Sequence, residues 1–249
     1  MSTKIKKRRR PTPASKLRPY WILGVLFLAA LALGLYALAN WDALRPHGIE
    51  VTGNRIVSTE AVLANAQIDP QRNIWLQNVS AMQDRIESIP YVDLVRVHRY
   101  LPARVVIELD ERVPVAVLKA RNGDYLVDQR LRVLEVAPAG AKQPQFVMPA
   151  IAVGKVGDFL DDENLIALRN DADKVSDAHI DARSFSYDRF GDLVVDLRGG
   201  VRVLLGDQTD IEKKIALIEP ILQQVGKQKR PIATVDIRAL TAPTITYKK

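Results

Sequence analysis

The sequence predicts an α+β protein that begins with a single membrane-spanning helix and continues into two domains of mixed helix and strand. Three observations support this fold class. Residues 20–39 contain no charged side chain, residues 48–114 combine strand-like and helix-like apolar patterns, and residues 115–249 contain mainly short alternating strands. A twenty-residue helix rises about 30 Å, which matches the hydrocarbon core of a bilayer.

The charge around the apolar segment predicts its orientation. Residues 1–18 carry eight Lys and Arg residues and no acidic residue, whereas Arg45 is the one basic residue in 40–54. Because basic flanks stay in the cytoplasm, residues 1–19 are predicted to form a cytoplasmic tail. Residues 40–47 then form a juxtamembrane linker, and everything after it is extracytoplasmic. The topology is that of a single-pass type II protein of the cell (inner) membrane.

A cleaved signal peptide is the alternative reading of the same segment. Ala37, Leu38 and Ala39 fit the small-x-small pattern that precedes a cleavage site. Cleaved signals, however, usually have apolar cores of about 7–15 residues. The longer core here favours a retained anchor, with cleavage after Ala39 left open.

The overall charge does not predict nucleic-acid binding. The chain has 36 basic and 29 acidic residues, and removal of the first 18 leaves 28 basic against 29 acidic. The extracytoplasmic part therefore has no excess of positive charge that would attract nucleic acid. With no cysteine in the chain, disulfides and thiolate–metal sites are also excluded.

Residues 48–114 predict a compact unit of the order strand–helix–helix–strand–strand. In chain order, the elements are a strand at 49–54, a helix from Ser58 or Thr59 to Ala66, a helix at 80–88, and a hairpin with strands around 95–99 and 105–110. Such a sheet must cover its apolar face with the two helices, so the unit should fold as a whole.

Residues 115–249 predict a mainly antiparallel sheet with helices on one side. The predicted strands are 115–118, 125–128, 132–136, 180–187, 193–198, 201–205, 232–238 and 244–247, and the predicted helices are 162–170 and 209–225. The Asn122-Gly123 and Gly199-Gly200 pairs predict two-residue hairpin turns. Pro220 predicts a kink in the second helix.

No pattern in the sequence predicts an active site, a metal site or a cofactor site. The histidines stand alone, at His47, His98 and His179. A nucleophilic cysteine and a G-x-S-x-G motif are both missing. The acidic run at 161–163 is explained by a helix start, and Asp188, Asp192 and Asp196 lack the glycine and distal glutamate of a calcium loop. The sequence therefore predicts a protein that is not an enzyme.

A series of short motifs resembles the FtsQ/DivIB family of bacterial cell-division proteins. After the basic tail and the span come Ile49–Asn54, Trp75, Leu101-Pro102, Glu111–Ala116, Leu126–Asp128, Leu204–Gly206 and Val235–Arg238. Their order and spacing carry the resemblance, which extends over about residues 1–249. It implies that residues 48–114 form a POTRA domain and residues 115–249 the family's β-domain. The chain departs from the family at Leu131, where a glycine is common, and at Ala239, where an aromatic residue can follow.

The resemblance implies a non-enzymatic role. Members of the family act as scaffolds of the division complex (the divisome) during septum formation and recruit other membrane proteins to it. The implied partners are small single-span coiled-coil proteins of the FtsB and FtsL type, together with other divisome membrane proteins. The implied location is the division septum.

The residues themselves predict where a partner binds. A C-terminal strand is typically a sheet edge, and Pro243 directly before it is tolerable at an edge and unfavourable in a central strand. We therefore expect a partner to add a strand there, with arginines pairing its carboxylates and a tyrosine as an aromatic anchor. The predicted partner-binding residues are Arg189, Arg238, Thr244, Ile245, Thr246 and Tyr247.

Other classes of protein remain as alternatives at this point. A membrane-anchored envelope enzyme would need clustered titratable residues. Another POTRA-bearing secretion or assembly protein would typically have a long barrel region. A sensor would need a cytoplasmic effector larger than the basic tail.

Overall fold

The computed structural model describes residues 14–226 and 230–248, with side chains from residue 21 onward. The tail predicted at 1–19 lies mostly outside the described residues. The first element is a long helix, α1 (Ala14–Ala39). Among the described residues, its segment Trp21–Ala39 is the one stretch long and apolar enough to cross a membrane. None of that segment packs against the rest of the chain, as expected for a helix that faces lipid.

The first folded unit has the predicted order of elements around a three-stranded sheet. Its elements are β1 (Ile49–Thr52), α2 (Thr59–Ala66), α3 (Val79–Glu87), β2 (Val92–Tyr100) and β3 (Arg104–Glu111). Strand β3 is central, parallel to β1 and antiparallel to β2. The βααββ prediction is confirmed.

Local sequence determines where the two helices of this unit begin. The Ser58 hydroxyl accepts the backbone N–H of Ala61, and the Asn78 side chain accepts that of Ala81 in the same way. Each cap satisfies an amide that has no partner within its helix. The helices then bury residues such as Met82 and Ile86 against the sheet.

The second folded unit is built on a nine-stranded sheet. Its elements are β4 (Ala116–Ala120), β5 (Gly123–Val127), β6 (Val133–Val136), β7 (Gln145–Val147), α4 (Glu163–Asp177), β8 (Ala182–Tyr187), β9 (Leu193–Leu197), β10 (Arg202–Gly206), α5 (Ile211–Gly226), β11 (Ile232–Asp236) and β12 (Thr244–Tyr247). The strand order across the sheet is β12-β11-β10-β9-β8-β7-β4-β5-β6.

The sheet is largely antiparallel, as predicted, but it contains three parallel pairs. These are β10 with β11, β4 with β7, and β7 with β8. Strand β7 joins the two halves of the sheet and was missed by the sequence analysis. Because it has three residues and one fully inward side chain, Phe146, it is too short to show an alternating pattern.

Both predicted hairpins are present, but neither turn consists of the two predicted residues. Ala120 pairs with Gly123, so the loop is Arg121-Asn122 and Gly123 already belongs to β5. In the second hairpin, the N–H of Leu197 donates to the carbonyl of Val201, which leaves a three-residue loop at 198–200. The last of these residues, Gly200, adopts the left-handed backbone that such a loop needs.

Helices α4 and α5 cover one face of the large sheet. The predicted apolar stripe of α5 is confirmed, since Ile211, Ile215, Ile218 and Val225 are buried. Helix α5 continues through Pro220, which lies on its exposed side. Lys214 on the same helix is buried as well, and its ammonium group donates to the side chain and the backbone carbonyl of Asp207.

A buried ion pair connects the two folded units. The Arg112 guanidinium donates to the Asp128 carboxylate at 2.6 Å, and both side chains are only 6% exposed. Arg112 also contacts Asp93 at 2.7 Å and donates to the carbonyl of Val92 at 3.0 Å. Because Asp93 lies on β2 and Asp128 follows β5, this arginine holds the small sheet against the large one.

A second arginine crosses the same junction. Arg132 donates to the carbonyl of Glu87 at the end of α3 and to that of Gly157 in the large unit. The guanidinium groups of Arg112 and Arg132 lie 5.4 and 5.2 Å from the centre of the Phe159 ring. Burial is the main cause that lowers the pKa of Arg132, and the neighbouring Arg112 charge adds to it. Two cations that share one aromatic ring stay fixed because carbonyl and carboxylate oxygens surround them.

Candidate partner-binding edge

The last strand, β12, forms one edge of the large sheet. Among the described residues it pairs with β11 alone, in antiparallel register with Ile245 opposite Val235. An edge strand has backbone N–H and C=O groups that another chain can reach. The sequence prediction of a terminal strand at 244–247 matches the structure, and Pro243 directly precedes it.

The direction of the backbone groups in β12 follows from two hydrogen bonds. The N–H of Lys248 donates to the carbonyl of Pro231, and the N–H of Ile237, directly after β11, donates to the carbonyl of Leu204 on β10. Since backbone groups alternate sides along a strand, Thr244 and Thr246 bond toward β11. The N–H and C=O of Ile245 therefore point away from the sheet, toward the position of an added strand.

The opposite edge of the same sheet is partly covered. Strand β6 pairs with β5 on one side, and on the other side residues 157–160 pair with its first residue and with the two residues before it. The N–H of Val133 donates to the carbonyl of Asp158, and the N–H of Gly157 donates back to the carbonyl of Val133. Of the two edges, β12 is the one beside which no other described segment pairs.

The side chains of β12 alternate between core and solvent. Ile245 and Tyr247 are half-buried against the main core, and Thr244 and Thr246 are exposed. The Tyr247 ring also lies under the Arg230 guanidinium, 5.1 Å from its charge centre. The aromatic residue predicted as an anchor is thus already in contact with this chain.

Arg238 lies just beyond β11 and is paired within this chain. Its guanidinium donates to both oxygens of Asp236, at 3.0 and 2.6 Å, and lies 4.0 Å from Asp192. The hydrogen bond from Arg238 lowers the pKa of Asp236, and the same bond raises the pKa of Arg238. A partner carboxylate would therefore join an existing ion pair and would not meet an isolated cation.

Gly206, at the end of β10, makes room for Arg238. A Cβ at this position would come within 2.9 Å of the Arg238 Cγ atom, and Gly206 has a φ of +77°. A side chain here would displace the arginine and strain the backbone at once.

Arg189 lies in the turn between β8 and β9, at the same end of the sheet as Arg238. The Asp188 carboxylate shapes this turn by accepting the backbone N–H groups of Phe190 and Asp192. The Arg189 guanidinium lies 4.6 Å from the centre of the exposed Phe190 ring. Because Asp192 approaches Arg238, the structure brings the two predicted arginines to one end of the sheet.

Three residues near the edge were missed by the sequence analysis. Asp236 and Asp192 balance the charge of Arg238, and Phe190 adds an aromatic surface beside Arg189. The spacing of Asp236 and Arg238, two positions apart, was a usable signal for an ion pair. Phe190 had no such signal, because a single aromatic residue in a polar turn has no periodicity.

The titratable residues considered for catalysis remain apart. The described residues hold no group of three or more His, Asp or Glu side chains arranged to bind a metal. His98 lies 3.6 Å from Glu108, and His47 contacts the carbonyl of Arg45. The Asp162 carboxylate accepts the backbone N–H of Leu165 and so serves as the N-terminal cap of α4.

Comparison with protein families gives two adjacent matches. Residues 44–112 match the POTRA domain of the FtsQ type, and residues 116–238 match the C-terminal domain of cell division protein FtsQ/DivIB. The two matches meet at the buried Arg112–Asp128 junction, so each corresponds to one of the two sheets.

Several cell-division proteins are similar to this chain. FtsQ of Syntrophotalea carbinolica is 32% identical over 130 residues, which cover 49% of this chain and 46% of that protein. DivIB of Clostridium tetani is 25% identical, covering 71% and 69%. FtsQ of a Thioalkalivibrio species is 24% identical, covering 87% and 88%. The match to the first of these relatives spans about half its length.

The apolar helix and these similarities together indicate a single-pass membrane protein. With both of its folded units matched in order by FtsQ-type domains and with relatives named FtsQ and DivIB, the chain belongs to the FtsQ/DivIB family of bacterial cell-division proteins.

Proposed function

We propose that this chain is a non-enzymatic, single-pass scaffold of the bacterial division complex that captures a partner by strand addition at β12. The open edge at Ile245 carries the proposal, because its backbone groups point away from the sheet while the opposite edge is partly covered. Extended segments that add to such an edge gain main-chain hydrogen bonds along their length.

The charged end of the edge would select the partner. Arg238 follows β11, opposite the start of β12, and Arg189 lies in the β8–β9 turn at the same end of the sheet. An acidic residue flanking the added strand would be attracted to this end. The proposed partners are small single-span coiled-coil proteins of the FtsB and FtsL type, together with other divisome membrane proteins. Their sites would be Arg189, Arg238 and residues 244–247.

The membrane topology belongs to the same proposal. The basic residues before the span favour an N-terminus in the cytoplasm, which places both folded units outside it. The two units are proposed to be the domains of residues 48–114 and 115–249. The whole chain is proposed to be enriched at the division septum. A fluorescent fusion that spreads evenly over the cell membrane would contradict the septal location.

A matched pair of substitutions at Ile245 tests strand addition. Ile245→Pro removes the outward N–H, and Ile245→Ala removes a similar amount of packing while keeping it. We expect the proline variant to lose at least about tenfold in affinity for a purified FtsB-type partner beyond the alanine variant, since one lost main-chain bond and a blocked register act together. Both variants should keep nearly the same thermal melt by circular dichroism.

A third variant checks the assignment of backbone direction. Thr246→Pro removes an N–H that bonds toward β11, so it should destabilise the fold more than Ile245→Pro does. Equal partner affinity of the Ile245→Pro and Ile245→Ala variants would refute strand addition at this edge.

An envelope enzyme remains the alternative function. It predicts that the fragment of residues 42–249 hydrolyses cell-wall material, whereas a scaffold predicts no turnover.

A further inference from the structure

The tip of the β2–β3 hairpin carries a cluster of exposed apolar side chains. Tyr100 and Leu101 at the tip and Trp75 and Leu76 in the preceding 3-10 turn are all exposed, and Leu101 is 79% exposed. These four residues are called the tip patch below. Exposed apolar residues that occur singly need no explanation, but a contiguous group of large ones marks a surface that contacts something.

The tip patch is held as a unit. The Trp75 indole N–H donates to the carbonyl of Pro102 at 2.9 Å, which joins the 3-10 turn to the hairpin. The Arg99 guanidinium lies 5.1 Å from the Trp75 ring centre and donates to the carbonyl of Ile74 at 3.1 Å. The 3-10 turn and the hairpin tip are therefore fixed relative to each other, and the Trp75 side chain is held in place without a partner.

The chain path places this surface next to the membrane-spanning helix. The backbone N–H of His47 donates to the carbonyl of Ala103 at the hairpin tip, 3.1 Å away. His47 is eight positions after Ala39, the end of the span, so the two are at most about 28 Å apart. The 3-10 turn Asp42–Leu44 shortens this path further.

The residues along this path are suited to the bilayer interface. Trp41, directly after the span, is exposed, and tryptophan prefers the headgroup level of a membrane. Tyrosine and tryptophan in the tip patch share this preference, because each has an apolar ring and a polar group.

We propose that the tip patch docks on the bilayer surface, with Leu101 inserted among the lipid headgroups and acyl chains. This contact would hold the first folded unit upright against the membrane and fix the direction in which β12 is presented. It rests on the part of the proposed function that makes Trp21–Ala39 a retained span. It does not depend on partner capture at β12.

Single-cysteine labelling of the full chain tests this contact, because the natural sequence has no cysteine. Leu101→Cys and, as a control, Phe190→Cys are each labelled with an environment-sensitive fluorophore. Phe190 is 71% exposed and lies in the large unit, far along the chain from the span. Each protein is reconstituted in nanodiscs of phosphatidylethanolamine and phosphatidylglycerol that carry nitroxide lipids.

We expect the lipid nitroxides to quench the label at 101 at least twofold more strongly than the label at 190. Equal quenching at the two sites would overturn the proposal. If the emission of the label shifts to the blue without quenching, the label contacts a second copy of the chain. This result would overturn the proposal too. Because co-elution of the chain with nanodiscs reports on the span separately, such results would leave the proposed anchoring intact.

A second variant separates the surface from the label. Leu76→Asp places a charge in the tip patch at an exposed position, so the fold should be retained. It should reduce the quenching at 101 to half or less. Unchanged quenching would mean that the fluorophore itself seeks the lipid, and this would also count against the proposal.

Discussion

Replacing Asp128 with alanine tests how strongly the two folded units are joined. One carboxylate oxygen accepts from the Arg112 guanidinium at 2.6 Å, and the other accepts the backbone N–H groups of Arg130 and Arg132 at 2.9 and 2.8 Å. The substitution removes all three interactions. It leaves Arg112 buried, with Asp93 as its remaining carboxylate.

The expected loss in the free energy of unfolding follows from these contacts. A hydrogen bond to a charged group contributes about 1.5–3 kcal/mol, and each backbone bond about 0.5–1.5 kcal/mol. One bond of the first kind and two of the second total about 2.5–6 kcal/mol, a range that includes the usual cost of about 3–5 kcal/mol for removing one partner of a buried ion pair. This would be a large fraction of the stability of an ordinary domain.

Urea unfolding of residues 42–249, followed by circular dichroism, measures this loss. The fragment keeps both cores, since residues of the span contribute to neither. Arg130→Ala is the matched control: this side chain is 70% exposed and pairs with Asp93 at 3.3 Å, so its loss should cost less than about 1 kcal/mol. The double variant Arg112→Met/Asp128→Leu should cost less than Asp128→Ala alone, because no buried charge is left unpaired. An Asp128→Ala variant as stable as the control would refute the reasoning.

Three further predictions concern single residues. The pKa of Glu111 is raised by burial but lowered more by hydrogen bonds from three backbone N–H groups in the loop after β1, for a net decrease. Glu111→Gln should therefore lower the free energy of unfolding by roughly 1–2 kcal/mol at pH 7, measured with urea. This difference should start to shrink below pH about 4.3, the ordinary glutamate pKa, and vanish as the pH falls through the lower pKa of the folded state. Leu131 is buried with a φ of +59°, so Leu131→Gly should be about 1 kcal/mol more stable in the same assay than Leu131→Ala, the reverse of the usual order. Gly206→Ala should weaken partner binding severalfold, measured by titration calorimetry, because its Cβ displaces Arg238; unchanged affinity would exclude Arg238 from the interface.

The predictable part of the fold is the part with regular side-chain patterns. The apolar stripe of α5 predicted both ends of that helix to within two residues of the structure, and Ser58 as a cap predicted where α2 begins. Helix α4 was predicted to end near residue 170 but extends to Asp177. Its second half contains the buried Asp171, which accepts hydrogen bonds from Tyr187 and Gln208 and so breaks the apolar pattern.

The junction could not be predicted because its partners are far apart in the chain. Arg112 and Asp128 were both noted as parts of motifs, but nothing in either motif indicates that they pair. Leu131 was noted as standing where the family often has glycine, and the structure shows the physical basis: the position has a left-handed backbone. Leucine keeps its side chain in the core at the cost of that backbone strain.

The candidate edge was predictable in position and less so in chemistry. The terminal strand and Pro243 indicated an edge, and β12 is an edge in the structure. The two arginines were expected to pair with carboxylates of a partner, but Arg238 already pairs with Asp236 in this chain. Its role as a partner contact stays a prediction, as do those of Arg189 and residues 244–247.

Residues 157–160, which pair with the start of β6, give the large sheet two unequal edges. A sheet whose two edges are equally open can add copy after copy, because each added copy presents a fresh edge. Two copies of this chain that met through their β12 strands would present the partly covered β6 edge at both ends of the joined sheet. Contact between copies through β12 would therefore stop at two.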